Sequence, residues 1–162
     1  MAVGLCPGAQ WPSKQWPLDK YADLAGKLSA PEGHKVIVFG SAEETGRAEY
    51  IGEKAKCEVI SAAGGSTLRE AAALIAKCRI FVSNDTGLMH IAALLRVPTL
   101  GIFGSTNPSY HGPSGKGNLS VFRGVECSPC YKPECHLDDD RYYCLRNISV
   151  TEVLEAARSI MK

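Results

Sequence analysis

Short apolar runs alternate with amphipathic stretches along most of the chain. Residues 35–40 and 79–83 are apolar almost without a break, as expected for strands of a parallel sheet that is buried on both faces. In residues 18–28 and 67–77 the apolar positions instead recur at helical spacing, which is typical of helices with one buried face. The pattern therefore predicts strands that alternate with helices.

The periodicity predicts strands over residues 3–6, 35–40, 58–61, 79–83, 99–103 and 119–122, and helices over residues 18–28, 43–56, 67–77, 86–95 and 149–161. Short strands that alternate with helices form βαβ units and an open parallel sheet. The predicted fold class is α/β, a Rossmann-like parallel sheet flanked by helices. Because such sheets bind ligands outside the carboxyl ends of their strands, we expect a site among the loops at 7–17, 40–44, 84–87 and 104–117.

The loop at 84–87 carries the first candidate residues. Asp85 is placed to cap the helix predicted from Thr86, and the backbone N–H groups of Thr86 and Gly87 would then be free. Such a helix start attracts anions, and Gly87 lets a phosphate approach the backbone. His90, on the same helical face, is placed to donate to a phosphate or sugar oxygen. The residues alone leave open a capped helix with a packed histidine and no ligand.

Two other loops at this edge supply charge. Lys14 is the only basic residue of the loop at 7–17, which three prolines stiffen, and it is a candidate counter-charge for a diphosphate. Trp16 precedes the proline that opens a helix, so we interpret it as structural. Glu43 follows the second long strand, where an acid often accepts ribose hydroxyls in nucleotide-binding α/β folds. A glutamate that only complements the helix dipole is the open alternative for Glu43.

Composition narrows the class of protein. The chain has 162 residues, 45% apolar and 22% charged, with a net charge of +1, which fits one globular domain without a field that would attract nucleic acid. No apolar run approaches the roughly 20 residues that span a bilayer, and no secretory signal is visible. Neither GxGxxG nor GxxxxGK[ST] occurs, which argues against a dinucleotide dehydrogenase or a P-loop NTPase. The chain enters a strand at once, so we expect it to be one domain of a longer protein.

The seven cysteines fall into two groups. Three lie in apolar segments and are expected to be buried: Cys6, Cys57 and Cys78. Four cluster near the C-terminus with His136 beside them: Cys127, Cys130, Cys135 and Cys144. A zinc site, two disulfides or four reduced thiols are open for this cluster, although a single CxxC pair argues against zinc. The odd total without a signal peptide indicates a reducing compartment.

Together these pieces resemble glycosyltransferase family 9, the ADP-heptose:lipopolysaccharide heptosyltransferases. The matching segments are PGAQWPSKQWP (7–17), VFGSAEE (38–44), STLREAAALIAKC (66–78), SNDTGLMHIAA (83–93), PTLGIFGSTNP (98–108) and the four-cysteine segment that ends in CLRNIS (144–149). They cover nearly the whole chain. The combination of NDTGxxH with an upstream KxWP is specific, whereas either motif alone is weak.

The resemblance implies a GT-B architecture, in which two Rossmann-like domains enclose the active site. Residues 1–162 would be its C-terminal, donor-binding half, without the N-terminal acceptor domain. By resemblance, Lys14 contacts the donor phosphates, Glu43 the adenosine ribose, Thr86 and Gly87 the diphosphate, and Asp85 and His90 complete the pocket toward the heptose. The family's proposed general base, an aspartate, belongs to the N-terminal domain, so no catalytic residue is assigned here and the chain alone is expected to be inactive.

The implied reaction is transfer of heptose from ADP-heptose to the lipopolysaccharide inner core. We expect no cofactor or metal ion, because Lys14 and the helix start would replace a divalent cation. The expected partners are ADP-heptose and, through the other domain, the lipopolysaccharide core. The expected location is the cytoplasm, with peripheral association at the inner membrane open for the full protein. The alternatives are another nucleotide-sugar enzyme, such as a UDP-sugar transferase or epimerase, and a zinc-containing binding module.

Overall fold

Strands and helices alternate in the computed structural model, which describes residues 2–30 and 33–161. The strands are β1 (Ala2–Cys6), β2 (Lys35–Val38), β3 (Val59–Ser61), β4 (Cys78–Asn84), β5 (Thr99–Phe103) and β6 (Leu119–Phe122). The helices are α1 (Leu18–Ser29), α2 (Gly46–Ala55), α3 (Leu68–Ile75), α4 (Gly87–Leu94), α5 (Pro108–His111), α6 (Tyr143–Arg146) and α7 (Val150–Ile160). Single 3-10 turns occupy Pro12–Lys14 and Ala42–Glu44.

The strands form one sheet in the order β3-β2-β1-β4-β5-β6, and every neighbouring pair is parallel. The chain builds outward from β1 to β3 and then returns, so that β4 pairs with the free edge of β1. The strand order therefore reverses between β1 and β4. In open α/β sheets the ligand crevice lies at the carboxyl ends of the two strands that flank such a reversal.

Two separate cores confirm that the sheet is covered on both faces. Val3 and Val82 belong to one buried cluster, which residues of α1, α2, α6 and α7 complete. Phe81, the neighbour of Val82, faces the other side, where it packs edge-to-face on Phe39 beneath α3 and α4. Successive residues of β4 thus fill different cores, which explains why residues 80–82 are apolar without alternation.

The predicted fold class is confirmed, and the differences are local. The helix predicted over 43–56 is split, because a capping box between Ser41 and Glu44 closes a separate 3-10 turn before α2 begins. The strand predicted over 35–40 ends at Val38. Cys6 and Cys78 are buried as expected, whereas the prediction for Cys57 was wrong. Cys57 is only half-buried because it follows α2, which ends at a residue in the left-handed conformation.

Candidate functional site

Helix α4 begins directly after β4, at the point where the strand order reverses. Its N-cap is Thr86, and no side chain accepts a hydrogen bond there. The Thr86 hydroxyl lies instead 3.0 Å from the Ser83 hydroxyl. Gly87, the first helical residue, is exposed, and an added Cβ would meet no atom within 4 Å. The first turn of α4 is therefore open to an anionic ligand.

Asp85 does not cap α4, so that part of the prediction was wrong. Its side chain is 7% exposed, and Oδ2 lies 2.7 Å from Nζ of Lys14. The same oxygen accepts a hydrogen bond of 2.8 Å from the Thr106 hydroxyl. A buried carboxylate needs partners of this kind because desolvation of an unpaired charge is costly. The partners come from the loops after β1 and β5, which local spacing cannot reveal.

The ammonium group of Lys14 reaches Asp85, the residue before the N-cap of α4, from the loop after β1. Its side chain is 19% exposed, and Nζ lies 4.6 Å from the centre of the Trp11 ring, in a cation–π contact. Trp16, in contrast, is buried, and its indole N–H donates to the carbonyl oxygen of Ile148 at 3.1 Å. The structural interpretation of Trp16 is therefore confirmed, and the structure brings Lys14 and Asp85 together.

Asn84, at the end of β4, holds the loop after β1 by hydrogen bonds, a role that the sequence did not reveal. Its side chain is fully buried at the end of β4. The amide donates to the carbonyl oxygen of Pro7 at 2.9 Å and accepts from the Trp16 backbone N–H at 3.2 Å and the Tyr21 hydroxyl at 3.0 Å. Burial raises the pKa of Tyr21 well above its ordinary value, so this hydroxyl stays a donor. The polar end of β4 thus holds the loop that carries Lys14.

A cleft of about 820 Å³ opens beside the first turn of α4. Of the six predicted site residues, Glu43, Thr86 and Gly87 line it. Lys14 and Asp85 are outside this lining but adjoin it at Thr86, the residue after Asp85. His90 is also outside the lining and is exposed on α4. The structure therefore gathers five of the six residues at the start of α4 or in the cleft, and leaves His90 at the surface nearby.

Glu44 and Arg47 line the same cleft and were missed by the sequence analysis. Arg47 donates to the carbonyl oxygen of Pro7 at 3.1 Å and to Gln15 Oε1 at 3.0 Å, and its Nε lies 3.6 Å from Glu44 Oε1. The Glu44 carboxylate lies against Gly8, where an added Cβ would come within 1.8 Å of Oε1. Glu43, in contrast, is exposed. Glu44 therefore lies between the ends of β1 and β2, whereas Glu43 lines the cleft from the same turn. The i,i+3 spacing of Glu44 from Arg47 was the signal that could have identified it.

The remaining wall of the cleft is apolar. Leu68, Leu88 and Ile91 line it from α3 and α4, and Leu68 is 65% exposed. Cys6 forms part of the floor, and burial raises the pKa of its thiol to about 11, so it adds no negative charge near neutral pH. An apolar wall, a carboxylate beside the strand ends and an open helix start are suited to a base, a sugar hydroxyl and a phosphate.

The four clustered cysteines carry free thiols in the structure, which corresponds to the reduced alternative rather than to two disulfides. Burial is the main cause that raises the pKa of Cys144 to about 11, and the other three cysteines raise it further. Cys135 Sγ accepts a hydrogen bond of 3.3 Å from the Tyr142 backbone N–H. Within residues 2–30 and 33–161, no three His, Cys, Asp or Glu side chains are placed to hold a metal ion. In that part of the chain no helix is long and apolar enough to cross a bilayer.

Comparison with known proteins gives one consistent result. The lipooligosaccharide heptosyltransferase 2 of Haemophilus ducreyi is 42% identical over 121 residues, which cover 70% of this chain and 34% of that protein. The corresponding protein of Haemophilus influenzae is 41% identical over 116 residues, or 68% of this chain and 33% of that protein. The solved structure of E. coli ADP-heptose LPS heptosyltransferase II matches 99% of this chain and 46% of its own, with a TM-score of 0.80 and 30% identity.

These shares mean that the chain spans less than half the length of each of these relatives. The family model described as glycosyltransferase family 9 (heptosyltransferase) matches residues 1–140. That match covers most of the sequence, including every residue of the cleft and of the α4 start. The chain therefore belongs to glycosyltransferase family 9.

Proposed function

We propose that residues 1–162 are the C-terminal, donor-binding domain of a GT-B heptosyltransferase. In this proposal the domain holds ADP-heptose by its diphosphate while the full enzyme transfers the heptose to the lipopolysaccharide inner core. The observation that carries the proposal is the first turn of α4, which begins without a side-chain cap at Gly87 and faces the cleft. Membership of family 9 and the similarity to an ADP-heptose LPS heptosyltransferase support this choice of donor.

The diphosphate is proposed to bind the backbone N–H groups at the start of α4, with Lys14 as its counter-charge. An ammonium group has three hydrogens to donate. Lys14 can therefore keep its contact of 2.7 Å with Asp85 and still donate to a phosphate oxygen. Asp85 in turn keeps the ammonium group beside the helix start when no ligand is bound. His90, exposed on the same helix, is proposed to reach the heptose side of the donor.

The nucleoside is proposed to occupy the part of the cleft between α2 and α3. The carboxylates of Glu43 and Glu44 lie where ribose hydroxyls are bound in many α/β folds. Leu68 and Leu88 provide an apolar surface for the base. This arrangement leaves the sugar of the donor on the His90 side, away from the nucleoside.

The chemistry asked of this domain is stabilisation of the departing ADP. Negative charge develops on the diphosphate as the bond to the heptose breaks, and fixed donors and a cation lower the energy of that charge. No cofactor enters this step. A general base for the acceptor hydroxyl is expected from the other half of the enzyme, together with the lipopolysaccharide contacts. The full enzyme is proposed to work in the cytoplasm, with peripheral association at the inner membrane.

Calorimetric titration with ADP tests the proposal. The wild-type chain should bind ADP, and Lys14→Ala should weaken binding by about ten- to a hundredfold, the usual loss for a hydrogen bond to a charged group. Lys35→Ala is a matched control, because Lys35 pairs with Glu58 at an exposed site at the start of β2. It should bind ADP like the wild type.

The alternatives give different results in the same experiment. Equal affinity of the wild type and Lys14→Ala would remove Lys14 from the site, and absence of ADP binding to the wild type would refute the proposed function. Tighter binding of UDP than of ADP would indicate a UDP-sugar enzyme. Heptose transfer by this chain alone would contradict the incomplete-enzyme part of the proposal.

A further inference from the structure

Five polar side chains, four of them buried, join the loops after β1, β4 and β5 into a closed ring. Lys14 Nζ lies 2.7 Å from Asp85 Oδ2, which accepts a hydrogen bond of 2.8 Å from Thr106. Ser105, the neighbour of Thr106, has its hydroxyl oxygen 3.0 Å from that of Ser13, the neighbour of Lys14. We call these five residues the polar ring. The pair at 13–14 is therefore linked to the pair at 105–106 both directly and through Asp85.

Ser13 is held by both its backbone N–H and its side-chain hydroxyl. It is 3% exposed. Its backbone N–H donates to the carbonyl oxygen of Pro133 at 3.1 Å, and its hydroxyl lies 2.5 Å from the carbonyl oxygen of Lys132. The turn that carries Lys14 is thus bonded to the loop after β5 and to residues 127–144, which we call the cysteine-bearing segment.

The cysteine-bearing segment is itself fastened to the loop after β5. The backbone N–H of Tyr131 donates to the carbonyl oxygen of Ser105 at 2.8 Å, and the Ser128 hydroxyl donates to the carbonyl oxygen of Gly104. Ser105 is 1% exposed and Thr106 is 2% exposed. Ser105 is thus held directly, and Lys132 and Pro133 follow Tyr131, which is bonded to it, so the turn of Ser13 is anchored to a segment that is itself attached to the loop after β5.

We infer that Ser13 is a positioning residue for the diphosphate contact of Lys14, an inference that rests on the proposed function. A lysine side chain is a flexible four-carbon stem, so its ammonium group keeps one location only if the backbone below it is fixed. The Ser13 hydroxyl fixes that backbone. Without it, the Lys132 carbonyl and the Ser105 hydroxyl each lose a buried partner, and the turn relaxes away from Asp85.

A double-mutant cycle on ADP affinity tests this inference. Ser13→Ala should weaken ADP binding about five- to tenfold, less than Lys14→Ala does, because the ammonium group is displaced rather than removed. In a Lys14→Ala background, the same substitution should change ADP affinity little further. A purely structural role for Ser13 predicts instead that the two losses multiply, and that result would overturn the inference.

Matched controls separate positioning from general damage. Ser29→Ala removes another buried hydroxyl, which is 7% exposed and donates to Gly26 within α1 at 3.2 Å, and it should leave ADP affinity unchanged. If Ser13→Ala does not fold, Ser105→Ala opens the polar ring from its other side. It should give the same non-multiplying loss with Lys14→Ala, and independent losses would count against the inference.

A second measurement needs no nucleotide. Reductive methylation of Lys14, followed by mass spectrometry of its peptide, should be several-fold faster in Ser13→Ala than in the wild type or Ser29→Ala, because the ammonium group is no longer held at Asp85. An unchanged rate would overturn the positioning role. If methylation accelerates although the wild type fails to bind ADP, the positioning role stands and the proposed function fails.

Discussion

Asp85 keeps a buried charge at the end of β4 because two distant side chains, Lys14 and Thr106, reach it. The sequence placed Asp85 and Lys14 at the same edge of the sheet, because both follow strands, and the structure agrees. The sequence also predicted that Asp85 caps α4, and that prediction was wrong. Local spacing describes contacts within one turn, whereas the partners of this carboxylate, Lys14 and Thr106, come from the loops after β1 and β5. The contact of Lys14 with a diphosphate remains a prediction.

Glu43 and Glu44 also show that sequence position alone does not give a side chain's contacts, even for two adjacent residues. Both follow β2, and the sequence pattern favours Glu43 by its position after the strand. The structure leaves Glu43 exposed and holds Glu44 against Gly8, with Arg47 beside it. The choice between neighbouring acids depends on which way the 3-10 turn directs each side chain, and that direction follows from the capping box of Ser41.

We expect Glu44→Gln to weaken ADP binding about five- to tenfold, because a charged acceptor of ribose hydroxyls is lost. Glu43→Gln is the matched control and should change ADP affinity less than Glu44→Gln. Calorimetry with ADP and with 2′,3′-dideoxy-ADP measures both effects. The loss in Glu44→Gln should largely disappear for the dideoxy nucleotide.

A larger loss in Glu43→Gln would assign the ribose contact to Glu43 rather than to Glu44. A loss in Glu44→Gln that is equal for both nucleotides would show that Glu44 acts through the loop after β1 rather than through the ribose.

At the level of elements, the sequence predicted those strands and helices that are long enough to show a hydrophobic pattern. Every predicted strand and helix is present, and α7 begins after its N-cap Ser149, with Glu152 in its first turn. The prediction missed α5 and α6, which have four residues each. One turn contains too few positions for a hydrophobic period to be visible. The start of α4 moved from Thr86 to Gly87, as is common for helix ends.

The capping box of α7 leads to a prediction on pH. Hydrogen bonds from the backbone N–H and hydroxyl of Ser149 lower the pKa of Glu152 below its ordinary value of 4.5, and Arg123 lowers it further. Because the folded value is below the unfolded one, the carboxylate stabilises the fold above the unfolded pKa. This contribution is lost as the pH falls through the folded pKa.

We therefore expect Glu152→Gln to lower the free energy of unfolding at pH 7 by about 0.5 kcal/mol, as for other exposed charge contacts. The difference from the wild type should shrink as the pH is lowered from 5 toward 3. Urea denaturation across this range measures it, with Glu155→Gln, exposed on the same helix, as the control. A difference that stays constant with pH would contradict the proposed role of the Glu152 charge.

At the level of the whole molecule, the alternation of elements predicted a parallel α/β sheet but could not give its strand order. Hydrophobic periodicity identifies an element, whereas the neighbour of a strand depends on contacts across the chain. The order β3-β2-β1-β4-β5-β6 brings the loops after β1 and β4 together. This juxtaposition turns separate motifs, the loop of Lys14 and the start of α4, into one candidate site.

The chain spans only part of its relatives, which bears on which substrate contacts we propose for it. The chain spans 33% to 46% of the three relatives compared. We propose that the donor contacts lie in this chain and that the acceptor contacts and the general base lie in the remainder of the enzyme. The central claim is that a diphosphate binds the first turn of α4.

The most direct test of that claim is the ADP affinity of Gly87→Ala compared with that of Gly46→Ala. Both glycines are the first residue of a helix, and an added Cβ meets no atom within 4 Å at either position. Both variants should therefore fold with stability equal to or up to about 1 kcal/mol above that of the wild type. We predict that Gly87→Ala binds ADP at least about tenfold more weakly, because the methyl group keeps the diphosphate from the backbone donors, and that Gly46→Ala binds like the wild type. Wild-type ADP affinity in Gly87→Ala would contradict the account.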